Sequence, residues 1–229
     1  MTTQEMQRPG ALSDAERLER AMLAVGVRFR RPRLLRQALT HLSYVYERSR
    51  SVEAAIAESN ERLEFLGDAV LELLVSEFLY RRFPRASEGE LTAYRAALVR
   101  TPTLARWAQR LGLADLLYLG RGEQPRPDRP VRERILAGAF EAILAAIYLD
   151  RGLRVARSFL QRLLEEEAEN LIALGQNENY KGRLQELTQE YLHVTPVYRT
   201  IAVTGPAPQR TFTAEVLVGD RALGVGHGP

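Results

Sequence analysis

There is no cysteine in the 229 residues. That excludes disulfides, thiol nucleophiles and cysteine-ligated zinc, and it suits a cytoplasmic protein. Lysine is nearly absent as well: Lys181 is the single lysine among 32 basic residues, and the others are arginine. Arginine offers a planar fork that grips phosphates bidentately. A GC-rich coding sequence would give the same bias. No apolar run is long and uncharged enough to cross a bilayer, and no signal-peptide pattern opens the chain, so no membrane association is expected. Strand-like alternation is missing from the first 174 residues. A net charge of +3 permits a nucleic-acid partner without demanding one.

What is present is a succession of helical patterns. Ser13-Asp14-Ala15-Glu16 reads as a capping box that opens a helix stopped by Gly26. Pro32 suits the first turn of a second helix, with Leu34, Leu35, Ala38, Leu39 and Leu42 on its buried face. Residues 45–59 are small or charged and read as a loop or broken turn. Ser87-Glu88-Gly89-Glu90 is a second capping box, Thr101-Pro102 starts a further helix, and 119–131 form a basic, proline-containing loop. Helices over 131–150 and 152–174 follow.

The chain is organised around Asn60-Glu61-Arg62-Leu63-Glu64-Phe65-Leu66-Gly67-Asp68-Ala69-Val70-Leu71. Asn60 is a suitable N-cap, and Leu63, Leu66, Val70 and Leu74 recur at helical spacing. Glu64 and Asp68 stand four apart, on one helix face, where like charges repel. A hard divalent cation with oxygen ligands would resolve that conflict, and so would a salt-bridged surface. Gly67 costs about 1 kcal/mol relative to alanine inside a helix, which implies close approach of another backbone or a ligand. Further on, Ile135 to Leu149 is apolar nearly all round, with Glu141 its only charge. A lone buried carboxylate needs a partner. It is either protonated or arginine-paired, or it faces Glu64 and Asp68 and completes a metal site.

The Asn60–Leu71 stretch resembles, along its whole length, the signature of the ribonuclease III family, whose members cut double-stranded RNA using magnesium. Thr40-His41-Leu42-Ser43-Tyr44 and Leu91 to Val99 resemble further segments of that family. His41 has no acidic partner at metal-binding spacing and reads as structural. Ala137-Gly138-Ala139-Phe140-Glu141-Ala142-Ile143 resembles the family's second catalytic segment, with one departure. Gly138 stands where the family carries a metal-ligating aspartate. By the resemblance, Glu64 and Glu141 bind Mg2+ while Asp68 and Glu141 are catalytic, and metal binding or activity is weakened by Gly138.

From Tyr180 the grammar changes. After a polar linker at 175–179, a helix to Tyr191 precedes strand-like Val197–Val203, Thr211–Val218 and Arg221–Val225, separated by turns. Tyr180-Lys181-Gly182-Arg183-Leu184-Gln185-Glu186-Leu187 and the pattern after it resemble a double-stranded-RNA-binding domain that stops before its usual final helix. Five basic residues against four acidic ones make a thin electrostatic footprint. Lys181, Gln185, Glu186 and Arg210 are the expected RNA contacts.

The expected architecture is multidomain. An all-α ribonuclease III-like endonuclease domain (13–174) precedes a small α+β, α-β-β-β domain for double-stranded RNA (180–229). The resemblance implies a homodimer that cleaves duplex RNA, in ribosomal and messenger RNA processing, to 5′-phosphate and 3′-hydroxyl ends. The alternative is a weakened or inactive relative that serves as a duplex-RNA-binding or scaffold protein.

Overall fold

The computed structural model describes residues 12–49, 51–126, 128–178, 180–206 and 210–228. The chain divides into two compact units, 1–171 and 172–229.

The first unit is helical. It comprises α1 (Asp14–Val25), α2 (Pro32–Ala38), α3 (Leu42–Tyr46), α4 (Val52–Glu58), α5 (Glu61–Arg82), α6 (Glu88–Val99), α7 (Thr101–Arg110), a 3-10 turn (Leu113–Asp115), α8 (Glu133–Arg151) and most of α9 (Leu153–Glu178), up to residue 171. Both expected capping boxes form. The hydroxyls of Ser13 and Ser87 accept from the amides of Glu16 and Glu90, whose carboxylates reach back to the caps. Each box satisfies amides that a helix start otherwise leaves unpaired.

Helix α8 is the centre of this unit. Twelve of its residues from Ile135 to Ile147 are buried, as its unbroken apolar pattern requires. Phe140 lies against Trp107 of α7 and Phe159 of α9, with ring centroids 5.4 and 5.9 Å apart. Helix α5 packs along α8 through Leu63, Gly67, Val70, Leu71 and Leu74.

Four local expectations need correction. The second helix ends at Ala38, because Thr40 leaves it to pair with Tyr118: the His41 amide donates to the Tyr118 carbonyl (3.0 Å), and the Tyr118 amide to Leu39 (2.9 Å). Residues 45–59 are not a loop but hold the end of α3 and all of α4, whose start is capped by Ser51 Oγ accepting from the Ala54 amide at 3.1 Å. Asn60 precedes α5 but does not cap it with its side chain, because its own backbone is helical (φ −81°, ψ −8°). That places its carboxamide away from the free amides of the first turn. Helix α9 continues to Glu178, through most of the stretch expected as a linker; the residues there after Gly175 are tolerated in helices.

The second unit contains α10 (Tyr180–Leu192) and an antiparallel sheet in the order β1 (Val197–Thr204), β2 (Thr211–Val218) and β3 (Arg221–Gly228). The third strand is three residues longer than expected, because 226–228 keep pairing with the start of β2.

Candidate active site

Glu64 and Asp68 lie one turn apart on α5, and Glu141 is on α8. What brings them together is Gly67. A Cβ built on it would fall 1.9 Å from the Glu141 carbonyl oxygen, so the α5 backbone touches the α8 backbone there. Only glycine permits that approach. The contact is reciprocal: a Cβ on Gly138 would lie 2.5 Å from Glu64 Oε2. The Glu64 carboxylate therefore lies beside the position where the expected aspartate is missing.

The electrostatics follow from this geometry. Burial pushes the Glu141 carboxyl up to about 8, and the charges of Glu64 and Asp68 add to the effect. Burial also raises Glu64, opposed by Arg134 and reinforced by Glu61 and Asp68. Among the described residues no hydrogen bond or ion pair engages the carboxylates of Glu64, Asp68 or Glu141. Glu77, farther along α5, is the contrast: it is tied to Arg81 at 2.6 Å and Arg157 at 2.9 Å. A larger groove of about 440 Å³ between α5 and α9 surrounds that paired glutamate over an apolar floor of Leu74, Phe78, Leu160 and Leu164. The unpaired acids, rather than the larger groove, are therefore the candidate site.

The donor set is all carboxylate, which suits a hard cation, and a cation would offset both the desolvation and the repulsion that raise Glu141. Among the described residues, however, no three or more such side chains close on a point that could hold a metal ion. The three acids share a field without forming a finished cage.

His41 is at the N-terminus of α3, where its Nδ1 accepts from the Ser43 amide (3.2 Å) and pairs with Ser43 Oγ (2.8 Å). Burial and Arg132 hold the imidazole below its ordinary range, against the pull of Glu123 and Glu61. Those contacts fix the ring at the start of α3, and the residue also borders the acidic site. With Asn60, Glu61, Glu64, Arg132, Arg134 and Ile135 it lines a cleft of about 290 Å³. Asn60, Arg132 and Arg134 escaped sequence reasoning, since the approach of α8 to the Thr40–Ser43 segment has no local signal.

The profile described as Ribonuclease-III-like matches residues 31–167, and that of the double-stranded RNA binding motif matches 180–229. The chain belongs to the ribonuclease III family. It is 46% identical over 205 residues to Ribonuclease 3 of Dehalococcoides mccartyi strain CBDB1, covering 90% of this chain and 84% of that one. It is equally identical to Ribonuclease 3 of Roseiflexus sp. strain RS-1, across 90% of this chain and 85% of the relative. Among solved structures, the nuclease domain of ribonuclease III from Campylobacter jejuni matches with a TM-score of 0.57 and 37% identity, over 65% of this chain and 96% of that domain. The protein is thus an endoribonuclease of ribonuclease III type, and the family's chemistry is metal-dependent. Among the described residues no helix is long and apolar enough to cross a membrane.

Of the expected RNA contacts in the second unit, Gln185 and Arg210 are exposed. The side chains of Lys181 and Glu186 lie outside the described residues.

Proposed function

We propose that the protein is a magnesium-dependent endonuclease of double-stranded RNA, working in ribosomal and messenger RNA processing. The observation that carries this reading is the group of Glu64, Asp68 and Glu141, held without partners where Gly67 lets α5 meet α8. A half-buried carboxylate raised by desolvation and by its neighbours' charges is costly to keep as mere structure.

Glu64 and Glu141 would hold the cation through their carboxylate oxygens. When bound, Mg2+ supplies polarisation of the scissile phosphate and a more acidic water. Asp68, exposed one turn beyond Glu64, would orient the attacking water and accept its proton at a carboxylate oxygen. The water oxygen bonds to phosphorus, the bond to the 3′-oxygen breaks, and that oxygen takes a proton from solvent. The products are a 5′-phosphate and a 3′-hydroxyl. Gln185, Glu186, Lys181 and Arg210 would contact the duplex by ribose and phosphate rather than by base edges.

Pairing of two copies is supported by α5. Phe65 is 82% exposed, and Ala69, Leu73 and Tyr80 continue an exposed stripe at helical spacing. A large apolar stripe open to solvent marks an interface. The dimeric region named for the Campylobacter jejuni nuclease domain belongs to the same fold.

Gly138 favours a second reading, in which the chain binds duplex RNA as a scaffold. The test is a long RNA duplex incubated with magnesium or with chelator. The nuclease reading expects shortening only with magnesium, to fragments a ligase accepts as 5′-phosphorylated. Equal binding in both conditions with no shortening would replace it by the scaffold.

A further inference from the structure

We propose that the cleft beside the acidic site is a subsite for a backbone phosphate of the RNA strand, one that sets the strand against Glu64. The inference rests on the functional reading above and adds a binding group to it.

The cleft is built where three segments meet. Thr40 links them: its carbonyl accepts from the Asn60 amide at 2.8 Å, while its neighbours Leu39 and His41 pair with Tyr118. This fixes His41 beside the start of α5. The first turn of α8 supplies Arg134 and Ile135, with Arg132 as its N-cap.

Three observations point to a ligand. Asn60 is only 2% exposed, lines the cleft, and makes no side-chain hydrogen bond among the described residues. His41 accepts the Ser43 amide at Nδ1, which leaves the neutral ring's proton on Nε2, and that nitrogen has no partner among the described residues. Arg134 is exposed and forms no ion pair among the described residues, although its charge acts on Glu64. Arg132, at the rim, is held by Glu123 at 2.5 Å. Helix α8 also begins without a side-chain cap, which leaves the amides of Glu133 and Arg134 without a capping acceptor among the described residues.

The ligand must therefore accept several hydrogen bonds and carry negative charge. It must also lie against Glu64. A phosphodiester meets the first two demands, and the RNA backbone running into the acidic site meets the third. Glu61 and Glu64 line the same cleft, so a free, doubly charged phosphate is the poorer fit. Asn60 and His41 act here as positioning residues: they hold the strand and leave the chemistry to the acids.

The test is duplex binding by the full chain, measured with calcium over a range of salt, so that the subsite is read whether or not the chain cuts. Duplexes carry a single neutral methylphosphonate at successive positions around one site. Expected is one position at which the neutral group weakens binding about tenfold and lowers the salt slope by about one. Arg134→Ala should produce the same loss, and the two losses should not add. Asn60→Ser should weaken binding at that position alone and leave the melt near that of the parent. Losses that add at every position, or an Arg134→Ala variant that binds as the parent does, overturn the subsite. Inorganic phosphate that shifts the His41 ring signals while Arg134→Ala leaves duplex binding intact would also overturn it, as an anion pocket the strand does not use. A parent that binds in this pattern but never cuts would refute the nuclease reading and leave the subsite standing.

Discussion

The two units of this chain treat their apolar residues in opposite ways. In the first, α8 is wrapped on nearly all sides, and Trp107, Phe140, Leu136 and Ile143 are essentially inaccessible. In the second, among the described residues, only Thr188 and Pro196 are buried. Val197, Ile201, Phe212 and Val225 stay exposed, and an open hollow of about 530 Å³ lies on the sheet beside Leu184, Tyr198 and Val216. A three-stranded sheet needs a packed face to be stable. The helical unit therefore holds a site that demands precision, while the second unit has little core to hold anything rigidly. Its charge is no compensation, since Arg199 is already paired to Glu215 across β1 and β2 at 2.8 Å.

That contrast can be broken first in the core. Phe140→Ala should cost the helical unit about 4 kcal/mol, whereas Phe212→Ala should cost under about 1 kcal/mol. Two separately followed melts would show it. A cooperative, sharp melt of residues 176–229 alone would erase the contrast altogether.

Gly67→Ala comes next, at about 3 kcal/mol, because its methyl meets the Glu141 carbonyl and backbone cannot yield as a side chain does. It should also lose cleavage, by separating Glu64 and Asp68 from Glu141. Retained activity in a folded variant would mean the helices need not touch.

A smaller effect is pH-dependent. The folded protein holds the Glu141 proton up to about pH 8, well above the usual carboxylate range in an unfolded chain. Folded molecules then bind more protons than unfolded ones, so stability falls as pH rises from the unfolded value to about 8. Without divalent cation, the parent melt should drop across that window more than the melt of Glu141→Gln, and magnesium should shrink the difference. Parallel curves would contradict the assigned cause.

Gly138→Asp should have the least effect on folding, because the atom in its way is the far end of Glu64, which can move. It should tighten divalent-cation binding, as read by calorimetry. Unchanged or weaker binding would show that Glu64 already fills the missing aspartate's role.

Much of this was legible in the residues. The capping boxes at Ser13 and Ser87, the buried α8 and the close approach at Gly67 all follow from local pattern, because each depends on spacing within one helix. Helices α3 and α4 were not legible, since five- and seven-residue helices carry too few turns to show a period. The Ser51 cap was the one available signal. The fate of Asn60 was misread because an asparagine before a helix normally caps it. Here the backbone at that position is already helical, and its carboxamide turns to a cleft that exists only once α8 arrives.

The central claim is that unpaired acids at the meeting of α5 and α8, and not acids of these helices in general, cut RNA. The measurement is magnesium-dependent cleavage of duplex RNA by Glu141→Gln beside Glu77→Gln, whose glutamate is already ion-paired. The account predicts a loss of at least about a hundredfold for Glu141→Gln, equivalent to roughly 2.7 kcal/mol in the barrier, and near-parent rates for Glu77→Gln. Cleavage undiminished in Glu141→Gln would contradict it.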